Sequence, residues 1–247
     1  DFSGVSIRRR MARALSWLDN LNLPKNSKIL DVGCGVGVMA KEIADRGYEI
    51  AGIDYSYNMV KKAKDICSVN TNSSINFLRG DIESLPFKDS IFNVVLCLGV
   101  ISYVKSEHKA LHEMSRILKP GGTMILSILN KLSITKCIDI SVVVKRKLEK
   151  MVGNEIVSLK KRSRIKKNRI TLTSYFIPVL RNSLKAAGFK ELDCIAVQYG
   201  PVTFFGRKIF PERVNINITT FLEKLSSIPV IRSVGNMYLL RLRKAAG

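Results

Sequence analysis

Three glycines spaced two apart and preceded by an acid are the residues of this chain best suited to chemistry. The stretch Lys28-Ile29-Leu30-Asp31-Val32-Gly33-Cys34-Gly35-Val36-Gly37 runs a short apolar strand straight into a turn that opens a helix. Glycine at these positions lets the backbone bend sharply and approach a ligand to contact distance, where a Cβ would intrude. The string alone is ambiguous, because Gly35-Val36-Gly37-Val38-Met39-Ala40 also satisfies the loose dinucleotide pattern G-x-G-x-x-A. Asp31 separates the two. An acid two positions before the first glycine repels the pyrophosphate of a dinucleotide and suits a ligand carrying an ammonium and a sulfonium group.

Four further segments follow in order. Tyr48 to Ser56 reads as a second strand ending in Asp54, 23 residues beyond Asp31, with Asn58-Met59-Val60 opening a helix. Phe77-Leu78-Arg79-Gly80-Asp81-Ile82 leads into Leu85-Pro86-Phe87, Phe92 to Leu98 reads as another strand, and Arg116-Ile117-Leu118-Lys119-Pro120-Gly121-Gly122-Thr123 is a turn before the next. Over residues 28–130 the chain resembles a class I S-adenosylmethionine-dependent methyltransferase, of the branch that includes quinone-biosynthesis and other small-molecule methyltransferases.

The resemblance implies S-adenosyl-L-methionine as cofactor and S-adenosyl-L-homocysteine as product. It implies a cofactor site of Asp31, Gly33, Cys34, Gly35, Gly37, Asp54, Tyr55, Met59, Asp81, Ile82, Leu98 and Tyr103. Within it Asp54 is the ribose partner, Asp81 takes the adenine amine and the backbone amide of Ile82 meets the ring. Two positions depart from the pattern. Asn93 stands where the family commonly has Asp, and Gly99-Val100-Ile101-Ser102-Tyr103 replaces the histidine pair often found in the quinone branch, so that branch's substrate is not inherited. The chain opens on Asp1 rather than methionine, which fits a trimmed start and an incomplete N-terminal cap over the cofactor.

Methyl transfer from a sulfonium is a displacement at an activated carbon, so a protein contributes mainly by aligning the nucleophile within ~3 Å and excluding water. A hydroxyl acceptor also profits from a general base, for which Tyr103, His108, His112 and Tyr199 are the reachable groups. Tyr103 follows the fourth strand beside the transferred methyl, and with His108 forms the candidate catalytic pair. A capping or surface role competes for His108 near its helix start. His112 shares its helix with Leu111 and Met114, which define the buried face, so it reads as solvated; Tyr199 reads as packing. Cys34 reads as a small filler beneath the cofactor, since no histidine or other cation is placed to activate its thiol.

Positioning these groups requires an α/β architecture. Strands near 28–32, 48–53, 75–78 and 93–98 alternate with helices near 36–46, 57–68 and 107–118, and Thr123 to Leu129 is a fifth, buried strand. Residues 5–22 read as a helix with Ile7, Met11, Ala14, Leu15 and Leu18 on one face and Arg8, Arg9, Arg10 and Arg13 around it. A later helix runs from Thr173 to Ala187 with Phe176, Leu180 and Leu184 in step, and strands at 191–199 and 237–242 close the chain. The expected fold is a Rossmann-like, doubly wound, mostly parallel seven-stranded sheet with an antiparallel edge pair and a helical basic insertion after the fifth strand. One domain spans 1–247, with a cofactor core at 24–130 and lid or substrate insertions at 131–170 and 200–234. The second insertion holds Phe204, Phe205 and Phe210, then a helix with Ile218, Phe221, Leu222 and Leu225 on one side.

Composition bounds the partners. The 247 residues are 46% hydrophobic and 25% charged, ordinary for a globular domain. Five scattered cysteines at 34, 67, 97, 137 and 194, without a C-x-x-C pair, argue against zinc and disulfides and for a reducing cytoplasm. The opening residues lack signal-peptide character, and no apolar run approaches the ~20 residues that span a bilayer. The net charge of +21 calls for an anionic partner, and 131–169 alone holds thirteen Lys or Arg against three acids. Lys145, Arg146, Lys147 and Lys150 beside an apolar stripe suit a peripheral position on an anionic membrane, where a small or lipid-linked acceptor would be methylated, most simply on oxygen. The same cations would suit phosphates of tRNA or rRNA, although interleaved aromatics for base stacking are lacking. A cofactor-binding protein without catalysis is the third class.

Overall fold

The computed structural model describes residues 2–68, 75–133, 172–201, 203–204, 207–208 and 210–246. Most of the basic insertion expected at 131–170, and Phe205 of the second, lie outside the described residues.

Helix α1 spans Phe2–Asp19, three residues earlier than its periodicity suggests. Its buried face is Ala14, Leu15, Trp17 and Leu18, while Ile7 is exposed. The helix stops because Asn22 turns to a φ of 47° ahead of Pro24. Then follow β1 (Lys28–Val32), α2 (Val38–Ala44), β2 (Glu49–Asp54), α3 (Tyr57–Cys67), β3 (Asn76–Arg79) and β4 (Phe92–Leu98). A 3₁₀ turn at Ile101–Tyr103 precedes α4 (Glu107–Ile117) and β5 (Leu118–Leu129). The Ser56 and Ser106 hydroxyls cap α3 and α4, accepting from the amides of Met59 and Lys109. Beyond the insertion come α5 (Ile177–Ala186), β6 (Phe189–Gln198), the short pair β7 (Thr203–Phe204) and β8 (Arg207–Lys208), α6 (Glu212–Lys224), α7 (Pro229–Ser233) and β9 (Met237–Lys244).

The main sheet has the order β3-β2-β1-β4-β5-β9-β6. Strands β1 to β5 pair in parallel, and β9 runs antiparallel to both β5 and β6. The chain winds outward from β1 to β3, then returns to place β4 on the other side of β1. That reversal opens a crevice at the carboxyl ends of β1 and β4, where ligands of open α/β sheets bind.

Strand alternation divides the core between the two faces. Leu30, Val32, Val95, Cys97, Met124 and Leu126 face α4 and α5, whereas Ile29, Val94, Leu96, Ile125 and Leu239 face α1, α2 and α3. Asp31, two residues from Ile29, lies on the second face.

Two helices differ from expectation. In α5, Leu180 and Leu184 are buried but Phe176 is exposed, because it is the residue before the helix rather than within it. In α6 the buried face is Asn215 and Thr219, and the supposed anchor Phe221 is 62% exposed. Asn215 holds that face through a specific bond, and the residue after Thr219 ties the helix to α1. The Asn215 side chain donates to the Phe210 carbonyl at 2.8 Å, and the neighbouring Thr220 hydroxyl meets Arg9 at 2.6 Å.

Candidate cofactor and methyl-transfer site

The glycine turn leaves β1 with Gly33 at φ +71° and Gly35 at φ +54°, conformations that side-chain-bearing residues rarely adopt. A Cβ on Gly33 would overlap Val100, so the turn after β4 sits directly on the turn after β1. A Cβ on Gly35 would meet nothing within 4 Å, which leaves its backbone open to a ligand. The Gly33 and Cys34 amides donate to the Ile53 carbonyl at 2.7 and 3.1 Å, and Gly37 precedes α2 as its N-cap. Asp54, at the end of β2, accepts from the Gly35 amide at 2.9 Å through one oxygen and from the Ser56 amide at 2.8 Å through the other. One carboxylate thereby joins the first two turns.

Asp31 is only 3% exposed, and its Oδ2 has no hydrogen-bond partner. Burial, reinforced by the nearby charge of Asp54, pushes its carboxyl up to about 7. A buried carboxyl with one unsatisfied oxygen beside open glycine backbone fits a ligand ammonium, which would stabilise the ionised form. The donor set thus fits the amino-acid end of S-adenosylmethionine. Cys34 is also buried, and burial with the Asp31 and Asp54 charges pushes its thiol up, so it fills space and is no nucleophile.

Side chains beyond Asp54 form a partly apolar rim. Tyr55, Met59 and Val38 are exposed, an arrangement able to cover an aromatic ring. In the next loop Asp81 is exposed, its Oδ1 accepting from the Glu83 amide at 2.9 Å, and Ile82 is buried. Arg116, recognised in the sequence only as part of a turn motif, clamps this loop. Its guanidinium donates to the Leu85 and Phe87 carbonyls at 3.0 and 2.7 Å and to Glu113, while Glu113 accepts from the Leu85 amide at 2.8 Å. At the foot of β4, Asn93 Oδ1 accepts from the Lys28 amide and from Lys119 Nζ, both at 3.1 Å. A neutral amide there does the accepting that a carboxylate would do.

Leu98 is half-buried on the α1 side of the sheet. Tyr103 ends the 3₁₀ turn and is 55% exposed. His108 and His112 are both exposed on α4, and the helix cap that His108 might have supplied is Ser106. Tyr199 is fully buried, its ring against Gly235 and its hydroxyl without a partner. The segment before α5 closes over this turn. Tyr175 donates its hydroxyl to the Ile101 carbonyl at 2.8 Å, and the Thr173 amide donates to the Ser102 carbonyl. Sequence periodicity passed over Arg10 as one of several charges on α1. Its guanidinium instead reaches the sheet and lies against Gly99, within 2.9 Å of where a Cβ would stand.

Known proteins agree with this geometry. Residues 30–126 match the family described as a methyltransferase domain. The malonyl-[acyl-carrier protein] O-methyltransferase of Buchnera aphidicola subsp. Baizongia pistaciae is 36% identical over 127 residues, 51% of this chain and 49% of that protein. The demethylmenaquinone methyltransferase of Renibacterium salmoninarum is 32% identical over 127 residues, 51% of each. The chain thus spans about half the length of these curated relatives. A solved S-adenosylmethionine-dependent methyltransferase of Methanosarcina mazei shares the fold with a TM-score of 0.60 at 19% identity, over 93% of this chain and 98% of that one. The family match, the sheet order and the glycine turn with its acids concur: residues 30–126 form a class I S-adenosylmethionine-dependent methyltransferase domain.

Proposed function

We propose that the chain acts as one domain that methylates a small, apolar or anionic acceptor on oxygen, such as a quinone, lipid or glycan precursor, at an anionic membrane surface. The observation that carries the enzymatic reading is the unpartnered, buried Oδ2 of Asp31 beside the open Gly35 backbone. S-adenosylmethionine, when bound, supplies a methyl group on a sulfonium, an electrophile needing no further activation. Asp31 would hold the ammonium, Asp54 the ribose, and Asp81 with the Ile82 amide the adenine, while Tyr55 and Met59 cover the ring. A hydroxyl acceptor taking that methyl group would have to shed its own proton. Tyr103 and His108 are the candidate groups for that proton, both exposed where they could reach solvent. The relatives' names support a small acceptor, since they act on an acyl-carrier-bound malonyl group and on demethylmenaquinone.

The concentration of thirteen cations in residues 131–169 favours RNA as a second reading. Both are tested by supplying methyl-labelled cofactor to the protein with separated lipid, RNA and small-molecule extracts. Label in the lipid or small-molecule fraction, lost in Asp54→Ala, is the expected result. Label in RNA replaces the acceptor, and no label in any fraction refutes the enzyme.

A further inference from the structure

Helix α1 carries Arg9, Ala12, Arg13 and Ser16 at intervals of three and four residues, which sets them in one stripe. Facing them on α6 are Thr220, Glu223 and Lys224, and Ile195, Ala196 and Val197 of β6 make the third wall. The three walls border a cavity of about 420 Å³ that none of the residues assigned to the cofactor lines. Three consecutive strand residues reach it, so β6 presents its edge there rather than one face. β6 is the last strand in the sheet order, which leaves that edge unpaired among the described residues. Cys194 turns its amide to Asp193 and its carbonyl to Arg232, and two-residue alternation turns the Ala196 amide outward as well.

Charge decides what would fit. Arg9 is already committed, its Nη1 donating to Glu223 Oε2 at 3.2 Å and its Nη2 to the Thr220 hydroxyl at 2.6 Å. Arg13 and Lys224 are exposed and, among the described residues, have no carboxylate within 4 Å, so the cavity holds two uncompensated positive charges. Glu223 offers the opposite: its Oε1 is buried without a partner, and burial raises the carboxyl's hold on a proton against the pull of Arg9 and Arg13. A buried acceptor left without a donor is unfavourable until a ligand brings one. A phosphate monoester carries close to two negative charges at neutral pH, the number that Arg13 and Lys224 leave open. We propose that the groove between α1 and α6 is a second ligand site, outside the cofactor crevice, for a phosphorylated polyol, its phosphate on Arg13, Lys224 and the Ala196 amide and a hydroxyl donating to Glu223 Oε1. Inorganic phosphate would leave Oε1 orphaned, and a neutral polyol would leave both cations unmatched. The site is independent of which molecule accepts the methyl group.

Calorimetry on the whole chain tests this with sn-glycerol 3-phosphate, inorganic phosphate and glycerol as probes, each with and without saturating S-adenosylhomocysteine. Wild type should bind glycerol 3-phosphate about tenfold more tightly than inorganic phosphate, and glycerol not at all. The pair Arg13→Gln with Lys224→Gln should weaken glycerol 3-phosphate at least about tenfold, whereas the control pair Lys61→Gln with Lys64→Gln, on exposed positions of α3, should leave it unchanged. Glu223→Ala should remove the preference over inorganic phosphate, because the hydroxyl's acceptor is gone while the phosphate contacts remain. All four exchanged cations are exposed, so both double variants should unfold at the wild-type temperature. Equal loss in the two double variants would mean diffuse attraction to a basic chain and overturns the proposal, as do absence of binding and a wild type without the preference. Displacement of glycerol 3-phosphate by S-adenosylhomocysteine would put the probe in the crevice and also overturns it. If S-adenosylhomocysteine itself fails to bind, the glycine-turn assignment falls, and the probes on ligand-free protein still decide the groove. Flotation assigns the source of the phosphate. Vesicles containing phosphatidylinositol 4-phosphate that carry the protein up, and release it to glycerol 3-phosphate, assign a lipid headgroup; no flotation assigns a free phosphorylated polyol.

Discussion

The two ends of the sheet treat buried polarity differently. Around β1, β2 and β3 the buried side-chain polar atoms of the described residues are partnered: Asp54 uses both oxygens, Arg116 secures the neighbouring loop, and a single carboxyl oxygen on Asp31 is left over. Around α1, α6 and the β6–β9 pair, unpartnered buried atoms accumulate on Arg10, Tyr199, Thr219, Glu223 and Arg241. A cavity of about 420 Å³ opens there between α1, β6 and α6, with Arg9, Arg13, Lys224 and Glu223 in its walls. The first region is committed to one ligand, with its geometry fixed in advance. The second has polar groups in excess of their partners, as expected where a ligand or a further segment completes the structure.

The strongest way to break the committed region is at Gly33. Gly33→Ala puts a Cβ into Val100 and forces a side chain into a left-handed conformation, which should cost about 2–4 kcal/mol of stability and abolish S-adenosylhomocysteine binding; denaturant unfolding and calorimetry measure both. Next in size is the pH response of Asp31. Its folded-state value of about 7 lies above the ordinary 3.8, so the native state holds an extra proton between those values. Ligand-free stability should therefore fall as pH rises through that window, while ligand affinity rises. Because an ammonium favours the ionised carboxyl, affinity should drop about tenfold per pH unit below 7, with a proton released on binding, and Asp31→Asn should flatten the profile. Calorimetry in buffers of different ionisation enthalpy counts the proton; no release at pH 6 would refute the shift.

How much of this was legible in the residues follows the same division. The glycine turn, the place of Asp54 at a strand end and the succession of parallel strands could be read because a single ligand chemistry dictates residue types at fixed spacing. The α6 face could not, because Asn215 is held there by its bond to Phe210, and Thr220 ties the helix to Arg9 of α1, more than 200 residues away in sequence. Arg10 escaped for a related reason. Helical periodicity places its Cα correctly, but only the fold brings Gly99 beneath its guanidinium.

Smaller effects sharpen the contrast. Arg116→Ala frees the Leu85 and Phe87 carbonyls and should cost about 1–3 kcal/mol, seen as a lower unfolding temperature. Its ion pair with the exposed Asp89 contributes little of that. Phe221→Ser should change stability by less than about 0.5 kcal/mol, since its ring is mostly in water. A larger loss of stability would place Phe221 against residues beyond those described, while a loss of methyl transfer alone would put the ring in the acceptor's path.

The position of β9 between β5 and β6 also dictates an order of events during synthesis. β6 leaves the ribosome with no neighbour to pair with, because its partner is made some 40 residues later, at Met237–Lys244. Until then β5 and β6 both present open strand edges to whatever is near, and a chain interrupted before Met237 would keep those edges permanently. Among the described strands, β9 is thus the one that joins β6 to the sheet.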